Sequence, residues 1–312
     1  VEQPNKYNQS LDDMAEYLNI LYYGDPGSGK TSAAAAMAHL GTVYLLDVES
    51  GAKKKPLRKL GIPVQRIRPV TIACYKDIDD FYWYLKQELE DGADVAGVVF
   101  DSITEIHDAL IAEQVGVRHA KAVKKVTARD GSLIQDVDDN EFLVELPERG
   151  IVTEQLRRIT RRFRDLPCHT AFTALAKRDV DANGEGVVYL PQLPPKFGTQ
   201  LRGFVDVVGY CSKAPSIEDA SGYLGVFRDV GKYKGKDRLG GLPVVMADPS
   251  FHRVNQVIFE ELDLGSDPTQ SRYLDRIQAS RTPDPAPEEP TGPQPEKFDE
   301  DQPADDQESA AA

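Results

Sequence analysis

The chain has 312 residues, 40% of them hydrophobic, with 37 Lys and Arg against 51 Asp and Glu, for a formal net charge of -14. That length allows one large domain or two small ones, with enough apolar material for a sizeable core. No apolar run approaches the roughly 20 residues of a membrane helix. Cys74, Cys168 and Cys211 form no CxxC pair, which excludes a disulfide scaffold and a cysteine-based zinc site, so a soluble cytoplasmic protein with no membrane partner is expected.

In chain order, residues 1–14 read as an N-terminal arm and 15–262 as one core. Asn19–Gly24 (NILYYG) reads as a buried strand followed by a glycine-rich turn, Lys30–Leu40 as an alanine-rich helix, and Thr42–Asp47 (TVYLLD) as a second strand. Ile78–Glu90 has helical apolar spacing, and Val95–Phe100 (VAGVVF) is a continuous apolar strand ending at Asp101. Ile151–Leu166 reads as a helix, and 170–176, 205–211 and 223–230 as strands. Strands alternating with helices predict an α/β fold, and continuous apolar strands predict a mostly parallel, twisted sheet covered by helices on both faces. Residues 263–312 read as a linker and tail. From Thr282 onward ten acids face one lysine, and seven of the 21 prolines sit there. So charged and apolar-poor a segment cannot repay the entropy of ordering, and disorder is expected. It has two candidate roles, solubilisation or competition with nucleic acid for a basic groove.

Gly24-Asp25-Pro26-Gly27-Ser28-Gly29-Lys30-Thr31 matches G-x-x-x-x-G-K-[ST], with an apolar strand before it and a helix, starting with Lys30, Thr31 and Ser32, after it. The glycines let successive N–H groups turn toward one point, where with the helix N-terminus they form a nest for phosphates. Lys30 supplies a point charge for the β and γ phosphates of ATP, and Thr31 offers a hydroxyl to Mg²⁺. Such a site needs a second acid at the end of a buried strand to hold the metal, which Asp101 fits, and a group to orient the attacking water. Glu49, just past TVYLLD, is the candidate for that role and Asp47 its competitor.

These residues resemble the RecA-type recombinase and ATPase superfamily. GDPGSGKT resembles its phosphate loop, LLDVESG its segment with the catalytic Glu (here Glu49), and VVFDS its Walker B strand (here Asp101 and Ser102). Gly235-Lys236-Asp237-Arg238-Leu239-Gly240 resembles the KNRFG motif of RadA/Sms and the K-x-R finger of DnaB-type helicases. In those families the Lys and Arg reach a nucleotide bound by the next subunit. Overall the chain is most similar to the short RecA-core single-strand annealing proteins of phages, the fourth Sak class. The resemblance implies a RecA-like core, ATP hydrolysis stimulated by single-stranded DNA, a homo-oligomeric ring or filament, and a single-strand-binding protein as a further partner. A DnaB/RadA-like helicase or loader, a small-molecule P-loop kinase and a nucleotide-gated switch are the alternatives. A GTPase is disfavoured because Ala176-Lys177-Arg178-Asp179 lacks the amide of an NKxD base reader.

By the same resemblance, the DNA-binding loops fall at 112–149 and 177–200. The first holds Lys121, Lys124 and Lys125 beside Arg118. The second holds Lys177, Arg178 and Lys196, with Tyr189 and Phe197 as aromatics for base stacking. A further basic stripe runs along Arg157, Arg158, Arg161, Arg162 and Arg164; a phosphate-binding surface, a subunit interface and a solvated face are all open readings of it.

Overall fold

A computed structural model describes residues 16–48, 53–127, 144–180, 186–213 and 222–260, the side chains of 119–127 excepted. All of them belong to one compact unit, Val1–Arg281. The strands are β1 (Asn19–Gly24), β2 (Thr42–Asp47), β3 (Ile67–Val70), β4 (Val95–Asp101), β5 (His169–Val180), β6 (Val187–Pro191), β7 (Val207–Lys213), β8 (Tyr223–Val226), β9 (Lys236–Asp237) and β10 (Val245–Ala247). The helices are α1 (Lys30–Ala35), α2 (Lys54–Lys59), α3 (Tyr75–Glu90), α4 (Ile103–Thr127), α5 (Leu146–Arg164), α6 (Pro195–Phe204) and α7 (Phe251–Phe259).

The sheet order is β10-β8-β7-β1-β5-β4-β2-β3, with β6 paired to β5 and β9 to β7. From β7 to β3 every neighbour is parallel, and β8, β10, β6 and β9 join antiparallel. The expected mostly parallel α/β sheet is therefore present. Both faces are covered, as the alternation along β1 shows. Leu21 and Tyr23 join a cluster with Phe81, Phe100, Phe163 and Phe172, beneath α3, α4, α5 and α6. Ile20 and Tyr22 join the opposite cluster with Ala33–Ala38 and Phe251, beneath α1 and α7. Six residues of β1 are buried in succession because water reaches neither face.

Several expectations change. Residues 103–127 are helical, so 112–127 is helix where a loop was expected; α5 likewise begins at Leu146, ahead of the expected 151. The capping contact that starts α5 explains its earlier onset: Glu148 accepts from the Glu145 N–H at 2.8 Å. The helix after the phosphate loop is α-helical only to Ala35 and tightens to a 3-10 turn over Ala36–His39. Finally, β8 stops at Val226, ahead of the expected 230, and the Gly235–Gly240 segment contains β9, bonded to β7.

Candidate nucleotide site

The phosphate loop crosses the carboxyl end of β1, between two strands that close around it. Opposite Gly24 lie Leu175 of β5 and Cys211 of β7. A Cβ on Gly24 would stand 2.2 Å from the Cys211 carbonyl oxygen, so only glycine fits. Gly27 and Gly29 have φ of 72° and 87°, the left-handed region where glycine carries no steric cost. Asp25, Pro26 and Gly27 form the exposed tip, while Ser28 is buried and its hydroxyl has no partner. A buried donor of that kind is costly unless a ligand satisfies it.

Lys30 is 8% exposed, and its ammonium donates to the carbonyls of Gly24 at 3.0 Å and Asp25 at 2.9 Å. Burial pulls its pKa below the usual lysine value, with Cys211, Asp101 and Asp25 pulling the other way. Thr31 donates its hydroxyl to Asp101 Oδ1 at 3.1 Å, and Thr173 of β5 donates to the same oxygen at 2.6 Å. Burial lifts the Asp101 pKa; the two hydroxyls oppose this, and Asp47 reinforces it. Asp47 is itself buried and pairs in register with Asp101 across β2 and β4. The site thus brings together all of Gly24–Thr31 with Asp101. A hydroxyl and a half-buried carboxylate sharing one oxygen contact suit a hard, oxygen-preferring cation. Among the described residues no group of three or more His, Cys, Asp or Glu is placed to hold a metal ion by itself. Glu49 lies outside the described residues.

Lys236 and Arg238 sit elsewhere. Lys236 pairs with Val208 and Asp237 with Val207 at the start of β7. Because Val208 faces Leu21 and Cys211 faces Gly24, Lys236 lies about 10 Å below this chain's own loop and Arg238 farther still. Lys236 donates to the carbonyls of Arg202 at 2.8 Å and Val205 at 2.6 Å, at the C-terminal end of α6. Arg238 donates to Asp206 at 3.1 Å and to the Gly203 carbonyl at 2.6 Å. Lys236 has its pKa lowered, by burial first and by Arg238 next.

The candidate DNA contacts divide. Lys177 and Arg178 extend β5 past the loop, on the same end of the sheet, with Lys177 ion-paired to Asp179 at 3.1 Å. Lys196 is exposed in the first turn of α6. Lys121, Lys124 and Lys125 fall on the last turns of α4, where side chains are not described. Phe197 is 0% exposed within the core, so it cannot stack on a base as expected. Tyr189 stacks on Tyr233 with ring centroids 5.6 Å apart, and Lys232 lies over both rings. Arg118 is engaged by Glu145 and Glu148. In the arginine stripe, Arg157 bonds Gln200, Arg161 and Arg164 lie over Phe204, and Arg162 lies over Tyr82 and pairs with Asp79. These arginines hold α5 to α6 and α3.

Two residues that sequence reasoning missed press on the loop. Lys213 and Tyr223 face each other across β7 and β8. A Cβ on Gly27 would lie 3.8 Å from the Lys213 ammonium, and one on Gly29 would lie 2.6 Å from the Tyr223 ring. Nothing local in the sequence marks them. Only the pairing of β7 with β1, and of β8 with β7, puts them there.

Residues 16–136 match the family model of an AAA domain. That stretch is less than half of the chain, and it contains the whole phosphate loop and Asp101. An ATPase-type nucleotide site is what the match and the geometry have in common. Solved structures match as well. One, described as the crystal structure of the RadB recombinase, is 16% identical with a TM-score of 0.39, over 67% of this chain and 79% of that one. A likeness that loose transfers no activity. No curated protein matches the chain. No helix among the described residues is long and apolar enough to cross a membrane.

Proposed function

We propose that residues 15–262 form a RecA-like ATPase core that hydrolyses ATP to ADP and phosphate while acting on single-stranded DNA in phage recombination or annealing, with 1–14 as an arm and 263–312 as a linker and acidic tail. The observation that carries the nucleotide reading is the Thr31–Asp101 contact, which joins the phosphate loop to an acid 70 residues away. A phosphate loop alone is a turn; a loop whose threonine meets a half-buried strand-end carboxylate is a place for metal and triphosphate together. Thr31 and Asp101 would hold Mg²⁺, which neutralises charge on the phosphates. Lys30 and the N–H groups of Gly27–Thr31 bind the phosphate oxygens, and Glu49 orients water.

Lys236 and Arg238 act on a neighbouring subunit's nucleotide in a homo-oligomer. Their distance from this chain's own loop supports action in trans over action in cis. The DNA reading is supported by Lys177 and Arg178, which continue β5 beyond the nucleotide end of the sheet, next to the Tyr189–Tyr233 stack. Lys196 and the α4 lysines Lys121, Lys124 and Lys125 complete the proposed surface.

ATP turnover with and without single-stranded DNA, over a range of protein concentrations, tests this. DNA stimulation rising steeply with concentration is expected. Turnover indifferent to both removes the DNA and assembly readings and points to a small-molecule kinase. No turnover and no ATP binding removes the nucleotide reading as well.

A further inference from the structure

A cavity of about 550 Å³ opens beside the first turn of α1, lined in part by Gly29, Ser32 and Ala36. Its position relative to Asp101 is informative. In the sheet order, Asp101 on β4 lies to one side of β1, and Tyr223 on β8 lies to the other. A polyphosphate whose terminal end meets Thr31 and Asp101 therefore runs its opposite end toward Tyr223 and the cavity. The cavity's size is that of pockets for small organic ligands.

The cavity wall suits a flat heterocycle. The Tyr223 ring covers Gly29, where a Cβ would come within 2.6 to 2.8 Å of three of its ring atoms. The backbone that carries the ring is held in place: Asp248, the sole non-glycine residue with positive φ among those described (54°), donates its N–H to the Tyr223 main-chain carbonyl at 3.1 Å. Arg253 and Gln256 of α7 bring polar groups to the same space. His39 and His252 line it as well, their rings stacked 5.0 Å apart. An aromatic face beside a few convergent polar groups is the usual chemistry of a nucleobase site.

We infer that this cavity holds the base and ribose of a purine nucleoside triphosphate, with Tyr223 stacking on the base and Arg253 and Gln256 contacting its edge. The inference rests on the proposed nucleotide reading and adds the residues that recognise the nucleoside. A purine covers more of the Tyr223 ring than a pyrimidine does, so purine triphosphates bind better than pyrimidine ones.

The test measures binding of ATP, GTP, CTP and inorganic tripolyphosphate, each with Mg²⁺, to the full chain and to Tyr223→Ala, Tyr223→Phe and Arg253→Ala. In the unmodified protein ATP and GTP bind more tightly than CTP and tripolyphosphate. Tyr223→Ala weakens ATP and GTP by about tenfold or more and leaves tripolyphosphate unchanged. Tyr223→Phe keeps purine binding, and Arg253→Ala loses part of it. Tripolyphosphate binding as tightly as ATP overturns the cavity assignment and leaves the phosphate loop standing. Equal weakening of ATP and tripolyphosphate by Tyr223→Ala, with Tyr223→Phe normal, overturns it too, since the ring would then act on the loop alone. Binding of neither ligand to the unmodified protein overturns the nucleotide reading together with the cavity.

Discussion

Replacing Lys30 by methionine, a side chain of similar length without charge, separates a binding group from a structural one. The ammonium makes two hydrogen bonds, at 3.0 and 2.9 Å, to carbonyls of its own loop. On binding, those donors turn to phosphate oxygens. Charge-assisted hydrogen bonds contribute about 1.5–3 kcal/mol each. Losing two costs about 3–6 kcal/mol, or roughly 10²- to 10⁴-fold in Mg-ATP affinity. Stability moves differently. Because burial depresses the Lys30 pKa, the charged form is less favoured in the fold than in the unfolded chain, so at neutral pH the ammonium costs stability. Lys30→Met is therefore expected to unfold at the same urea concentration as the parent or a higher one, while calorimetric titration shows the affinity loss. A variant less stable by more than about 1 kcal/mol that still binds Mg-ATP normally would refute the reasoning and make Lys30 a loop brace.

Other outcomes follow from the same geometry. Burial holds the His169 pKa down to about 4 against an ordinary 6.5, and its Nδ1 accepts the Leu18 N–H at 2.9 Å. The unfolded chain therefore takes up a proton first on acidification, and about 3 kcal/mol of stability is lost between these two pH values; urea midpoints of His169→Phe should lack that slope, and parallel slopes would contradict it. Thr173→Val removes a hydroxyl whose hydrogen bond lowers the Asp101 pKa. The carboxylate then protonates at higher pH, so Mg²⁺-dependent nucleotide binding should fade earlier on acidification; superimposable acid limbs would count against Asp101 as a metal ligand. Mixing Arg238→Ala with Lys30→Ala chains should restore part of the turnover each lacks alone, and a confirmed mixed assembly without recovery would remove the trans role.

The phosphate loop and β1, β2 and β4 were legible because each is encoded locally, by glycine spacing or an unbroken apolar run bounded by turns. β3 (IRPV) and β6 are short and partly exposed, so their sequences carry little apolar signal. α4 was missed because its apolar residues make no sharp stripe over 25 residues, and its second half was assigned to a DNA loop by resemblance. The arginines of α5 looked like a phosphate-binding surface because their aromatic and acidic partners on α3 and α6 lie far away in sequence. Tyr223 and Lys213 reach the loop through one cross-strand rung, a pairing that no local pattern announces.

The strand that carries the phosphate loop has both its neighbours supplied late. β5 pairs with β1 at separations near 150 residues, and β7 at separations near 187. During synthesis the loop leaves the ribosome long before either flank exists, and its strand must wait with both edges open until β5 has been made and with one still open until β7 has. Contacts so distant in sequence close slowly, because loop entropy is spent before they form. The stretch that matches the AAA domain ends at residue 136, short of both partners. Expressed alone, it would present two unpaired edges of an apolar strand, a template for aggregation. The smallest fragment able to display a finished nucleotide cradle must run through β8.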